Sequence, residues 1–228
     1  MSTPHDKICF LLLPGFSPDY KPVLTLKRAL EKRGYAAIAN NFFGDLVVDD
    51  FKKLTIKQCQ KNISDIINQA CLKYDRVIGI GVSLGGALLL EHAKTTNNLY
   101  GIVSIGTPFK LKYRRLMRIG EFLLPIAYPI WKLFEKIKRL RLLPIGAEPV
   151  VVQYLENDFL QKLENVQVPV LFLHSKKDLV TDYRALPEFT GKISSQHKKI
   201  ILSENGNHVI NHDPEFIFEQ SAHFFNLL

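Results

Sequence analysis

Cysteine is scarce in this chain of 228 residues: the three present, Cys9, Cys59 and Cys71, are odd in number and fall inside apolar or helical patterns. That excludes a disulfide framework and any spacing suited to a structural metal, and it predicts buried thiols in a reducing compartment. The opening residues, Met1 to Lys7, lack the basic-then-apolar order of a signal peptide, so a cytoplasmic address is expected. Internal repeats and low-complexity tracts are absent, which excludes solenoids and linker-like chains. Acidic side chains are missing from one place in particular. Residues 110–141 hold ten of the thirty Lys and Arg but only Glu121 and Glu135 among the acids. The formal net charge of +8 therefore belongs to that segment, and the rest of the chain is balanced. With no recognised binding motif beside it, no nucleic-acid partner is expected.

What the chain does have is an alternating order. Its 46% hydrophobic residues and mean hydropathy of +0.01 are those of an ordinary globular protein, and its length suits one well-buried domain. Residues 7–13 are a continuous apolar run closed by Pro14 and Gly15, the pattern of a strand buried on both faces of a parallel sheet. Residues 22–33 read as an amphipathic helix with proline at its start and Gly34 at its end, 35–39 as a short strand, and 54–74 as a second helix. Strands come next at 77–82, 99–105, 169–173 and 198–202, with helices from 84 to about 94 and from about 213 to 227. Strands alternating with helices predict an α/β protein with a mostly parallel sheet covered on both faces. The alternation breaks over 109–158. This stretch has Leu-, Ile- and Phe-rich helical pieces interrupted by Pro125, Pro129, Pro144 and Pro149, and it predicts a small helical cap inserted into a core domain made of 1–108 and 159–228.

Residues 77–90 carry the chemistry. A β-rich run narrows to Gly81-Val82-Ser83-Leu84-Gly85 and continues as strong helix formers, the strand, tight turn and helix of a nucleophile elbow. Such a turn exposes the serine Oγ and aims the amides of the new helix at whatever Oγ attacks. A serine hydroxyl also needs a base, and the base needs an acid to hold its tautomer. In this strand order both should come after the serine, on loops at the C-terminal ends of later strands. Asp178 lies just past one strand end and His208 lies in a Glu204-Asn205-Gly206-Asn207 turn past the next. Asp182 competes with Asp178, but Thr181-Asp182 stands where a helix begins and suits capping. His212 competes with His208, but it precedes the helix-start signal Asp213-Pro214. For an oxyanion hole the donors are the amide of Leu84 and, from the loop after the first strand, that of Phe16.

Three separated motifs, Leu11-Leu12-Leu13-Pro14-Gly15-Phe16, Gly81-Val82-Ser83-Leu84-Gly85-Gly86 and Asn207-His208-Val209-Ile210, together resemble the α/β-hydrolase superfamily, and within it the small carboxylesterases and monoacylglycerol-lipase-like enzymes. The resemblance implies an α/β-hydrolase fold of six core strands without the antiparallel edge strand. It also implies no cofactor, and hydrolysis of acyl esters, such as monoacylglycerol or lysophospholipid, through an acyl-enzyme. By the same likeness Ser83 is the nucleophile, His208 the base, Asp178 the acid, and the Phe16 and Leu84 amides the oxyanion donors. The same triad would also serve a thioesterase or an acyltransferase, and the fold also serves non-catalytic lipid- or partner-binding proteins. Two positions depart from the family pattern: Pro14 stands where a histidine is usual, and Asn207 stands where a glycine usually precedes the catalytic histidine.

In the expected cap, residues 122–131 carry no charge and include Phe122, Leu123, Leu124 and Trp131, with basic residues on either side. Ten residues with two prolines do not span a bilayer, which takes about 20. Two uses are compatible with the pattern: the roof of an acyl pocket with solvated Lys and Arg around it, or a patch that lies on an anionic membrane surface, making the protein peripheral there.

Overall fold

The computed structural model describes residues 7–16, 21–41, 55–112, 148–208 and 213–227. Every residue of the first strand, β1 (Ile8–Leu13), is buried, so the strand must be covered on both faces. The cover comes from elements further along the chain, which are α1 (Lys21–Lys32), β2 (Ala36–Ala39), α2 (Ile56–Lys73), β3 (Arg76–Val82), α3 (Leu84–Ala93), β4 (Gly101–Ile105), α4 (Glu148–Gln153), β5 (Val170–Ser175), α5 (Leu186–Lys192), β6 (Lys198–Ser203) and α6 (Pro214–Phe225). The six strands form one sheet in the order β2-β1-β3-β4-β5-β6, and every neighbouring pair is parallel.

Alternation along the strands sorts the core into two halves. Cys9, Leu11, Leu13, Val77, Ile102, Val170 and Phe172 face one side, where α2 and α3 supply Cys59, Ile63, Ile67, Leu88 and Leu89. Ile8, Phe10, Leu12, Ile78, Ile80, Val103 and Leu171 face the other, where α1 and α6 supply Val23, Leu26, Leu30, Phe218 and Ala222. The buried α2 positions keep the helical spacing, and its first turn is capped by Thr55, whose side chain accepts from the Gln58 amide at 3.2 Å. Burial pushes the Cys9 thiol up to about 11 and the Cys59 thiol up to about 12, so both stay protonated and unreactive at neutral pH.

The chain steps from β1 outward to β2 and then returns to the other side of β1 as β3. That reversal is the switch point at which open α/β sheets bind ligands, and the C-terminal end of β3 stands on it. The strand expected from residue 99 begins at Gly101, because Leu99 and Tyr100 form a bend held by the Tyr100 amide on the Val77 carbonyl at 2.8 Å. The short α5 was not expected: at 7 residues it is too brief to show a periodicity.

Of the expected cap, only 109–112 and 148–158 fall among the described residues; Phe122, Leu123, Leu124 and Trp131 lie outside them. The flanks meet at one place. The rings of Phe109 and Phe159 lie 5.4 Å apart, and Phe109 also stacks on Phe189 of α5. Past α4, Tyr154 is buried and donates to Glu91 of α3 at 3.3 Å, while Lys94 bonds both Glu91 and the Phe159 carbonyl at 2.7 Å.

Candidate active site

Ser83 occupies the turn between β3 and α3 with φ 50° and ψ −116°, a conformation that L residues rarely adopt. Holding it costs about 1–3 kcal/mol, and the surrounding packing enforces it. Its amide donates to the Ile105 carbonyl of β4 at 2.7 Å. The two flanking glycines are fixed by crowding. A Cβ on Gly81 would come within 2.5 Å of the Gly85 backbone, and one on Gly85 within 2.4 Å of the Pro14 carbonyl oxygen. The first turn of α3 therefore sits directly on the loop after β1, which brings Gly15 against Ser83: a Cβ on Gly15 would stand 3.3 Å from that of Ser83. Of the two expected oxyanion donors, Phe16 follows Gly15 in the first segment and Leu84 follows Ser83 at the start of α3.

The structure brings Ser83, His208 and Asp178 into one hydrogen-bonded chain. His208 Nε2 lies 2.9 Å from Ser83 Oγ, and its Nδ1 lies 2.8 Å from Asp178 Oδ2. An ionised carboxylate only accepts, so Nδ1 carries the proton, Nε2 is bare, and the Ser83 hydroxyl donates to it. His208 is seated by two glycines. Gly206 turns the chain with φ +107°, its carbonyl accepting from Ser175 Oγ at 2.8 Å, and Gly106 leaves room for the His208 carbonyl, which a Cβ would meet at 2.4 Å. The chain runs from wet to dry, with the His208 side chain 20% exposed and that of Asp178 at 0%.

Asp178 is saturated with donors. Its Oδ1 accepts the amides of Val180 at 2.7 Å and Thr181 at 2.9 Å. Its Oδ2 accepts the Thr181 hydroxyl at 2.5 Å in addition to His208, and His174 Nε2 lies 3.2 Å away. Burial works against the charge, but the bonds from His174, His208 and Thr181 outweigh it and hold the carboxyl well below the usual carboxylate range. The loop is gripped from the other side by residues 110–112: the Lys112 amide donates to the Val180 carbonyl and the Asp182 amide to the Lys110 carbonyl, each at 2.9 Å, and Lys112 Nζ donates to the Asp178 carbonyl.

Asp182, the competing acid, has another place. Asp182 caps the turn at Tyr183–Ala185 through the Arg184 amide, and Asp213 caps α6. His92 joins α3 to Ser64 and Asn98 and lies away from the serine. His212 lies outside the described residues. Sequence reasoning missed Thr181 and His174 as partners of Asp178. The signal available for Thr181 was the Asp-x-x-Thr spacing, in which a carboxylate accepts the amides two and three residues on.

Known proteins resemble this chain as follows. A family model described as "Serine aminopeptidase, S33" matches residues 150–215. A carboxylesterase of Bacillus subtilis (strain 168) is 24% identical over 215 residues, covering 90% of this chain and 86% of its own length. A structure described with LipS and LipT, two metagenome-derived lipolytic enzymes, superposes with a TM-score of 0.79 at 18% identity, over 98% of this chain and 95% of the other. A soluble variant of the monoglyceride lipase of Saccharomyces cerevisiae, solved with a substrate analogue, gives a TM-score of 0.72 at 16% identity, over 99% and 88%.

Proposed function

We propose that this chain, which has the α/β-hydrolase fold, is a serine ester hydrolase that cleaves acyl esters of moderate length, such as monoacylglycerol or lysophospholipid. The observation that carries the reading is the Ser83–His208–Asp178 chain at 2.9 and 2.8 Å on the switch point of the sheet. His208 takes the Ser83 proton as Oγ attacks the acyl carbon, and the Leu84 and Phe16 amides receive the charge on the carbonyl oxygen. His208 then protonates the leaving alcohol. Water, deprotonated by the same ring, releases the acid from the acyl-enzyme. The named activities of the carboxylesterase and the monoglyceride lipase support an ester substrate, and no step calls for a cofactor. A fluorophosphonate probe is expected to label the wild type and not Ser83→Ala. Equal labelling of both would remove Ser83 from the mechanism. A series of p-nitrophenyl esters from C2 to C12 reads the acyl preference, and no turnover anywhere in it would favour the non-catalytic alternative. Thioesters and alcohol acceptors in the same assay separate thioesterase and acyltransferase activity.

The charge of residues 110–141 supports a second property, docking of the inserted segment on an anionic membrane surface. Among the described residues no helix is long and apolar enough to cross a membrane, and the association proposed is peripheral because the uncharged run 122–131 has only ten residues. In sedimentation with vesicles the protein is expected to bind phosphatidylglycerol-containing liposomes several-fold better than neutral ones, with the difference lost toward 0.5 M salt. Equal binding to both would mean that the basic side chains are merely solvated.

A further inference from the structure

We propose that His174 is a positioning residue that acts through Asp178: its Nε2–H, which bonds Thr181 Oγ1 and stands 3.2 Å from Oδ2, turns positive charge toward the oxygen that His208 bonds and so weakens the pull of the carboxylate on the His208 imidazolium. This rests on the reading of Ser83, His208 and Asp178 as the triad. His174 ends the inward face of β5 begun by Val170 and Phe172 and is 1% exposed. Its Nε2 lies 2.9 Å from Thr181 Oγ1 and 3.2 Å from Asp178 Oδ2, and its Nδ1 is buried with no hydrogen-bond partner among the described residues.

The neighbours fix the tautomer. Thr181 Oγ1 and Asp178 Oδ2 are 2.5 Å apart, so the hydroxyl proton lies between them and Oγ1 presents a lone pair to His174. A bare Nε2 would then face two lone-pair oxygens and be repelled by both, whereas Nε2–H donates to Oγ1 and turns its positive end toward nearby Oδ2. The cost of the arrangement is the empty Nδ1, since a buried acceptor without a partner is destabilising and a leucine would fill this place without that cost. Among the described residues the ring makes one hydrogen bond, to the Thr181 hydroxyl that itself bonds the acid.

Removing that role would not release Asp178. Its Oδ1 keeps two backbone amides and its Oδ2 keeps the Thr181 hydroxyl, so the rotamer stands. What changes is the electron density left on Oδ2 for His208. Of the other charged groups around the loop, Lys112 lies on the Asp178 carbonyl, Asp182 pairs with Arg184 with Lys110 near it, Lys176 pairs with Glu204 at the surface, and Lys177 is exposed. His174 is thus the donor that tempers the acid without orienting it. With the donor gone, the imidazolium form of His208 gains, and a base that must be neutral to work becomes available only at higher pH.

The test is the pH profile of kcat/KM on the full chain with a p-nitrophenyl ester, together with nitrogen-15 long-range spectra of the wild-type histidines. His174→Leu is expected to move the acidic limb up by roughly half to one pH unit while plateau kcat falls several-fold. His174→Gln, whose amide NH2 stands near the Nε2 position, is expected to restore the wild-type limb. The spectra are expected to show His174 protonated on Nε2. A limb that stays put or moves down in a folded His174→Leu, or a His174 ring protonated on Nδ1, overturns the proposal; the spectra decide alone if the leucine variant does not fold. Activity retained in Ser83→Ala would instead overturn the triad reading, and the tautomer would still be read on its own.

Discussion

Ser83→Ala and His208→Ala are each expected to lower kcat by a factor on the order of 10⁴ to 10⁶ with KM changed much less. The reason is the coupling across the 2.9 Å bond: without Nε2 the hydroxyl keeps its proton, and without Oγ the ring has no proton to take. Each loss removes the same step. The double variant is therefore expected to be no slower than the slower single one, and independent multiplication of the two effects would show that the residues do not work as a pair. Stability should hardly move in Ser83→Ala, because φ 50° strains alanine as it strains serine and the Ser83 amide bond to Ile105 remains. Steady-state kinetics on an ester of the preferred chain length, with melting curves alongside, checks both statements.

The parts of this fold that sequence discloses are those set by local pattern. Continuous apolar runs mark β1, β3, β4 and β5 because these strands are buried on both faces, and the cap Asp213 marks a helix start through its own side chain. The order of Ser83, Asp178 and His208 is legible because each comes directly after a strand, and parallel strands place all such loops at one edge of the sheet. Side-chain partnerships across the sheet are a different matter. His174 reads as the last residue of a strand, and nothing in its neighbourhood of sequence says that its ring turns toward the carboxylate four positions on. Likewise Lys110 to Lys112 look like the start of the insertion, and their pairing with residues 180–182 depends on two segments about 70 residues apart meeting beyond β4 and β5. Long-range register of this kind is fixed by packing, which a single sequence does not spell out.

Asp178→Asn is expected to cost roughly 10⁴ in kcat while leaving the shape of the site nearly intact. The asparagine oxygen can keep the two backbone amides, but its NH2 then stands where Oδ2 accepts from His208 and Thr181, with the His174 ring 3.2 Å away. A donor there asks for a bare Nδ1. The ring shifts to the Nε2–H tautomer, turns a proton toward Ser83 Oγ, and ceases to be a base. The same change has a signature in stability. The folded carboxyl of Asp178 is held below its unfolded range, so its ionised form stabilises the native state at neutral pH, and that contribution is lost as pH falls through and below the unfolded carboxylate value of about 3.9. The wild type should thus melt above Asp178→Asn at pH 7, and the gap should close on acidification below about pH 4. A gap that is constant from pH 7 to pH 3 would mean that the stabilising role of Asp178 lies in its shape and packing rather than in its charge, and would leave the tautomer argument to be settled by the rate alone.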